Sequence, residues 1–216
     1  MTDDEIAAFR ESLAGQPISE VLRRLGNEFP RDRLTLGEIV AVLDERAFGL
    51  LMLILGIPIA LPTSAIPFVS TLFGVPLMVA TAQLMIGMHR PWLPAMLAER
   101  SIARDDFRAM AEKAMPHLLR VERYLHARWS PLTAYMAERV IGGICLFWAF
   151  VAALPIPGAN QPPGIAIALF GIAILGRDGL FVVLGLVASV VAFAILIAVL
   201  GAFAAAAWLV FTHVFG

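Results

Sequence analysis

Two Glu-Arg pairs are the residues of this chain best suited to chemistry, namely the making and breaking of ion pairs. Glu45 and Arg46 stand directly before one apolar stretch, and Glu138 and Arg139 stand before another, 93 positions later. A charge where a helix enters a membrane is costly unless it is paired or reaches the interface. Neighbouring side chains diverge by about 100° on a helix, so we predict crossed pairs, Glu45 with Arg139 and Glu138 with Arg46, as a gate. The alternative is that both Arg side chains reach lipid phosphates while both Glu side chains are solvated.

No catalytic or metal-binding pattern accompanies these pairs. The sequence contains no glycine-rich phosphate loop, no nucleophile elbow and no pair of His residues at metal-ligand spacing. The single Cys145 lies inside an apolar run, so no intramolecular disulfide is expected. We therefore predict a chain that is not an enzyme, with no catalytic residue, no metal and no cofactor.

Composition indicates an all-α polytopic membrane protein. The chain has 216 residues, of which 60% are hydrophobic and 15% charged, and its mean hydropathy is +0.83. Soluble domains average roughly 45–50% apolar and about 25% charged residues. The net charge of −1 gives no reason to expect a nucleic-acid partner. Every Lys and Arg falls in 1–46, in 90–139 or at position 177, and the positive-inside rule places these parts in the cytoplasm.

The constant offset of 93 residues predicts two copies of one membrane unit, each a charged pair, an apolar arm and a Pro-rich break. We expect residues 34–87 and 127–176 to superpose about a pseudo-twofold axis along the membrane normal. The matched identities are Glu45, Arg46, Gly49, Ala60, Leu61 and Pro62 with Glu138, Arg139, Gly142, Ala153, Leu154 and Pro155.

The arms of these units predict re-entrant helical hairpins. The arm 47–61 has 15 residues, whereas a straight membrane-spanning helix needs ~20. We expect the uncharged tips to converge near the midplane and to line a substrate path, because polar groups there need partners or water. The alternative is two ordinary hairpins with short periplasmic turns, in which the tip residues cap helix ends. The predicted lining is Pro62, Thr63, Ser64, Pro155, Asn160 and Gln161.

The remaining segments complete the predicted organisation. As a single helix, 179–216 would be ~57 Å long, about twice the hydrocarbon thickness, so we expect it to fold back near 199–201 as a C-terminal transmembrane hairpin. The predicted units are 1–33 (N-terminal amphipathic helices, cytoplasmic), 34–92 (membrane repeat 1), 93–131 (cytoplasmic amphipathic insert), 132–178 (membrane repeat 2) and 179–216 (C-terminal transmembrane hairpin). Capping boxes at Thr2 to Glu5 and at Thr35 to Glu38 predict two helix starts.

Other polar residues have predicted supporting roles. Arg90 and Trp92 are expected to anchor the chain at the membrane interface. Arg120 and Arg123 lie on an amphipathic stretch that either contacts anionic headgroups or forms a solvated face. Three further polar residues are expected to support the site: Gln83, Arg177 and Asp178.

Short segments spread over about residues 30 to 200 resemble a known family. They are 34–38, 45–49, 72–76, 83–87, 90–94, 122–123, 138–139, 155–157 with Asn160, and 176–179. The chain resembles the ExoD (exopolysaccharide synthesis) family of bacterial inner-membrane proteins. The resemblance implies a link to exopolysaccharide production and to tolerance of alkaline conditions, and it implies no established catalytic residues.

Three functions fit these observations. The first is a small transporter, channel or lipid-handling protein with a site between two repeated hairpins; a water-lined cavity reaching the tips would favour it. The second is a non-catalytic accessory or scaffold of envelope polysaccharide assembly, favoured by a closed, dry interface with a large exposed apolar surface. The third is a membrane enzyme acting on a lipid-linked sugar. We expect a multi-pass protein of the bacterial inner membrane with a cytoplasmic N-terminus. Expected partners are membrane lipids, a second copy of the chain and polysaccharide-assembly proteins.

Overall fold

The computed structural model describes residues 8–9, 11–13, 15–61, 69–125, 135–154 and 160–215. Helices make up most of this part of the chain, which confirms the prediction of a helical protein. In chain order the elements are α1 (Ile18–Glu28), β1 (Arg33–Thr35), α2 (Leu36–Leu43), α3 (Arg46–Ala60), α4 (Val69–Met85), α5 (Ala95–Ala98), β2 (Ser101–Ala103), α6 (Arg104–Glu122), α7 (Tyr135–Ala153), α8 (Gln161–Gly176) and α9 (Gly179–Phe215).

Four apolar helices, α3, α4, α7 and α8, pack into a bundle with α9 alongside α8. Within it, α3 lies against α8 and α4 lies against α7. Both pairs are antiparallel: the start of α3 at Gly49 meets Leu175 near the end of α8, and the end of α4 at Met85 meets Gly142 near the start of α7. Residues at the centre of the bundle are fully buried, among them Met52, Ile59, Leu77, Ala149, Ile167 and Phe170.

A second layer packs on one end of the bundle and has a core of its own. As its helical spacing predicts, α1 buries one apolar stripe, composed of Ile18, Val21, Leu22 and Leu25, and it places this stripe against the protein. The capping box before α2 is confirmed, because the backbone N–H of Glu38 donates to Thr35 Oγ1 and the N–H of Thr35 donates to the Glu38 carboxylate. The other predicted box, Thr2 to Glu5, lies outside the described residues.

The second layer joins the N-terminal segment to the insert that follows α5. β1 pairs with β2 in an antiparallel ribbon in which Arg33 faces Ala103, and α1 packs on α6. Neither strand was predicted, because three residues are too few to show a two-residue periodicity. The predicted amphipathic insert contains one long helix, α6, which continues through Pro116 and contacts α1.

Glu122 connects the two parts of this layer. Its carboxylate accepts hydrogen bonds from the backbone N–H of Ser19 at 2.8 Å and from Ser19 Oγ at 2.5 Å. The first turn of α1 has no side-chain cap from its own N-cap residue, Pro17. Glu122 therefore satisfies an N–H group that would otherwise lack a partner.

Replacing Glu122 with Ala should lower the free energy of unfolding by ~1–3 kcal/mol, because it removes a partner from half-buried donors. Glu112→Ala is the matched control. Glu112 lies on the same helix and pairs with the exposed Arg108, an i,i+4 interaction worth ~0.3–0.5 kcal/mol. Thermal unfolding of the two purified variants compares these effects. Equal losses would contradict the role given to Glu122.

The prediction of a C-terminal hairpin is wrong, because α9 is one helix of 37 residues. The segment contains no Pro, and an interior Gly such as Gly201 costs only ~1 kcal/mol relative to Ala. Four consecutive alanines at 204–207 then favour continuation of the helix. The second half of α9 extends beyond the bundle, and every side chain from Leu200 to His213 is exposed.

Candidate functional site

Titratable residues from all four bundle helices gather at the end of the bundle that meets the second layer. Glu45 and Arg46 start α3, and Glu138 and Arg139 belong to the first turns of α7. Arg177 follows α8, and His89 follows α4. The antiparallel pairing of the helices brings these four ends together. We call this group the charged end.

A cleft of about 620 Å³ opens at the charged end, between the bundle and the second layer. Its charged lining is Glu11, Asp44, Glu45, Arg46 and Arg177. A second cavity, about the size of one water molecule, lies beside it. Glu45 lines both cavities, and the smaller one is also bordered by His89, Glu138 and Arg139. The predicted charge-pair residues therefore do lie in one region.

Their partners differ from the crossed pairs that we predicted. Arg177 makes an ion pair of 2.6 Å with Glu45. Arg139 donates from Nε to the carbonyl oxygen of Met85 at 3.2 Å, and Arg46 donates to the carbonyl oxygen of Gln16. Within the described part of the chain, neither Glu45 with Arg139 nor Glu138 with Arg46 forms an ion pair.

The antiparallel packing explains this correction. The start of α3 lies against the end of α8 and so brings Glu45 to Arg177. The start of α7 lies against the end of α4, where the last-turn carbonyl groups lack helical partners and attract a cation. Arg139 contacts such a carbonyl and also lies over the ring of Tyr135, 5.9 Å from its centroid.

Two residues that line the cleft have an unusual backbone conformation. Asp44 has φ 52° and Arg177 has φ 48°, and they are the non-glycine residues with positive φ in the described part of the chain. Such a conformation costs an L residue of order 1–3 kcal/mol. Arg177 ends α8 in the left-handed region, a position where Gly is the usual residue. Nothing in the sequence indicated strain at these two positions.

The other predicted polar residues have structural contacts. Gln83 bridges a turn: its side chain accepts from the backbone N–H of Trp92 at 2.7 Å and donates to the carbonyl of the same residue at 3.2 Å. Asp178 is fully buried, and its carboxylate accepts from the N–H of Leu180 at the start of α9. The predicted lipid contacts, Arg90, Trp92, Arg120 and Arg123, are all exposed.

Two of the predicted tip residues, Asn160 and Gln161, lie at the opposite end of the bundle. Pro62, Thr63, Ser64 and Pro155 lie outside the described residues, so their prediction stays open. Asn160 is 5% exposed, and its side-chain amide donates to the carbonyl of Leu154 at 3.2 Å. Its Oδ1 is buried and has no hydrogen-bond partner in the part of the chain that the structure describes. Gln161 starts α8 beside it and is partly buried.

Together these features define a class of protein: an apolar helical bundle with its charges at one end and two helices, Tyr135–Ala153 and Gly179–His213, long and apolar enough to cross a membrane. No group of three or more His, Cys, Asp or Glu residues in the described segments is placed to hold a metal ion.

Comparison with known proteins identifies the family. Residues 18–198 match the family described as "Exopolysaccharide synthesis, ExoD", and the chain belongs to this family. It is 33% identical to Protein ExoD of Rhizobium meliloti over 187 residues, and this aligned region covers 83% of this chain and 77% of that protein. It is 30% identical over 179 residues to the uncharacterised protein slr1875 of Synechocystis sp., which covers 81% of this chain and 84% of that protein. No solved structure matches the chain.

Proposed function

We propose that the chain acts in exopolysaccharide production as a multi-pass inner-membrane protein that moves or hands over a small or lipid-borne substrate. The observation that carries the proposal is the cleft at the charged end, where two Arg and three acidic side chains border about 620 Å³ of space on an otherwise apolar bundle. Charges at the edge of an apolar, membrane-embedded region are expensive and mark substrate or ion pathways. In this proposal the cleft is the cytoplasmic entrance.

The helix contacts support the two-repeat arrangement on which this proposal depends. The offset of 93 residues maps α3 onto α7 and α4 onto α8, so the α3–α8 contact is the counterpart of the α4–α7 contact. One contact can be followed atom by atom. Thr71 Oγ1 donates to the carbonyl of Ala153 at 2.9 Å. The repeat offset maps Thr71 onto Gly164 and Ala60 onto Ala153, and Gly164 lies directly against Ala60. Reciprocal contacts of this kind are expected of a pseudo-twofold axis.

The Glu45–Arg177 pair takes the place of the predicted crossed pairs as the gate in this proposal. It joins the start of the first unit to the end of the second, and both residues line the cleft. The side chains are 34% and 60% exposed, so their attraction is worth only ~0–1 kcal/mol. A contact of this strength can open and close without unfolding the bundle. At the other end, the unpaired oxygen of buried Asn160 supports a polar tip.

A second candidate, the non-catalytic accessory or scaffold protein, is favoured by the closed interior of the bundle. Ala149, Ala152, Ile167 and Phe170, which belong to the core of the bundle, have no exposed surface. The exposed second half of α9 offers an apolar surface to another protein. These are the features expected of such a protein.

Charge reversal in reconstituted liposomes tests the proposed function. Glu45→Arg and Arg177→Glu should each abolish movement of a headgroup-labelled phospholipid or of ions followed by a pH-sensitive dye, and the double variant should regain it. The control is Arg23→Glu, because Arg23 pairs with Glu20 on the outer face of α1. If the wild-type protein moves neither probe, while a Glu45→Arg strain still loses exopolysaccharide, the accessory function is supported instead.

A further inference from the structure

The charges of α6 are divided along its length. Its first half, residues 104–112, contains the acidic side chains of Asp105, Asp106 and Glu112. Residues 113–123, which we call the basic segment, carry three exposed cations: Lys113, Arg120 and Arg123. The acidic residue of this segment, Glu122, faces α1, where it accepts hydrogen bonds from Ser19. The basic segment therefore presents an excess of positive charge to its surroundings.

The cations of the first half of α6 are neutralised, whereas those of the basic segment are not. Arg104 pairs with Asp32, and Arg108 pairs with Glu112. Within the part of the chain that the structure describes, the three cations of the basic segment form no ion pair with a carboxylate. The helix dipole favours cations only in the last turn, and Lys113 lies more than two turns before the end of α6. These cations require a partner from outside the chain.

The basic segment lies beside the charged end of the bundle. Leu125, two residues after Arg123, packs directly against Gly176, the last residue of α8. In the proposed function this level of the bundle is the cytoplasmic surface of the membrane. At 1.5 Å per residue, Arg120 and Arg123 lie within ~8 Å of Leu125 along the helix. Both cations are therefore close enough to this surface for little screening by salt, since the Debye length is ~10 Å at 0.1 M.

We infer that the basic segment binds the anionic phospholipid headgroups around the charged end of the bundle. The inference rests on the membrane position in the proposed function, and charge complementarity selects the partner. Each Lys or Arg close to an anionic membrane surface strengthens binding about fivefold. The guanidinium groups of Arg120 and Arg123 suit a phosphate, which they can contact through two parallel hydrogen bonds. Leu119, 53% exposed, lies one turn before Arg123 and suits the boundary between headgroups and acyl chains.

Lipid titration of the full chain in detergent micelles tests this binding. His117, an exposed residue between Lys113 and Arg120, is replaced with Cys and labelled with an environment-sensitive fluorophore. The native Cys145 is buried and should stay unlabelled. Phosphatidylglycerol should shift the emission of the fluorophore, and the same amount of phosphatidylcholine should not. Raising the salt concentration from about 0.1 M to about 1 M should remove the shift, because the Debye length falls to ~3 Å.

Single substitutions in the labelled protein identify the cations that bind. Arg120→Gln and Arg123→Gln should each raise the phosphatidylglycerol fraction needed for half of the shift about fivefold. Arg23→Gln is the matched control, because it removes the same charge on the outer face of α1, where Arg23 pairs with Glu20. This control should leave the titration unchanged.

Each other outcome overturns the inference. Equal responses to the two lipids mean contact without recognition of charge, and equal losses in Arg120→Gln and Arg23→Gln mean an effect of net charge alone. A label that responds in native membranes and not to phosphatidylglycerol assigns the basic segment to a protein partner, and a label that responds in neither shows a solvated segment. Failure of the proposed function is detected separately with Glu45→Arg in liposomes, because Glu45 lines the cleft and lies outside the basic segment. A protein that binds phosphatidylglycerol but moves neither probe contradicts only the proposed function.

Discussion

Replacing Gly142 with Ala should destabilise the bundle strongly, whereas the same change at the adjacent Gly143 should not. A methyl group on Gly142 would stand 2.5 Å from the backbone nitrogen of Met85 and 2.9 Å from the carbonyl carbon of Leu84. Both atoms belong to the main chain of α4, so no side-chain rotation can make room. The two helices must separate, and overpacking of this kind costs ~1–3 kcal/mol or more.

Gly143 provides a control one residue away on the same helix. A methyl group there would meet only side-chain atoms of Met85, at 3.6 Å and beyond. Ordinary contact at that distance, together with the greater helix propensity of Ala, should leave stability unchanged or raise it by up to ~1 kcal/mol. The thermal stability of both variants is measured in detergent as the fraction of protein that stays monodisperse after heating. A Gly142→Ala protein as stable as Gly143→Ala would show that α4 and α7 do not pack at this distance.

Gly142 also shows what the sequence can and cannot predict. It was matched with Gly49 through the repeat offset, so its place near the start of a unit was evident from the sequence. The sequence did not indicate why both positions are Gly. Each allows a helix of the other unit to approach, α8 at Gly49 and α4 at Gly142. Which helices pair depends on tertiary packing, and apolar helices with little amphipathic character carry no directional signal for it.

The same limitation explains the outcome for the charged residues. The residue types, their position at helix ends and their gathering in one region follow from the positive-inside pattern and from the repeat. Predicting the Glu45–Arg177 pair would have required the knowledge that the start of α3 lies beside the end of α8. Local signals worked where the interaction was local: the Thr35 capping box spans three residues. The fold-back of α9 was predicted from membrane thickness alone, whereas the lack of Pro and the helix propensity of its alanines favour one continuous helix.

The second large effect is expected at Arg177, where Gly should abolish activity and leave the fold as stable as before. Arg177 has φ 48° and ψ 41°, a conformation that costs a non-glycine residue ~1–2 kcal/mol. Gly removes this cost because it has no Cβ. The lost ion pair with Glu45 is half-exposed and contributes at most ~1 kcal/mol. The two changes in stability therefore roughly cancel or favour the variant.

Activity should respond differently, because the proposed gate needs a cation at this position. Arg177→Gly leaves Glu45 without its partner beside the carboxylate of Glu138, with which it already interacts unfavourably. The cleft then carries an excess of negative charge, and a gate held by the Glu45–Arg177 pair can no longer close, so the open and closed states that each transport cycle needs no longer alternate. We expect transport in liposomes and exopolysaccharide production to fall to the level of the empty control.

Arg177→Lys separates the charge from the backbone conformation. Lys keeps the strained conformation and a cation but loses the planar fork that suits a carboxylate, so this variant should retain partial activity without gaining stability. If Arg177 had only a structural role, the order of the two activities would be reversed. The Gly variant would then be active, and the Lys variant would be as active or less active. Thermal unfolding and exopolysaccharide yield, both measured for the wild type, Arg177→Gly and Arg177→Lys, distinguish the two cases. Full activity of Arg177→Gly would exclude the ion pair as a gate, because the variant lacks the cation while keeping every other residue that lines the cleft.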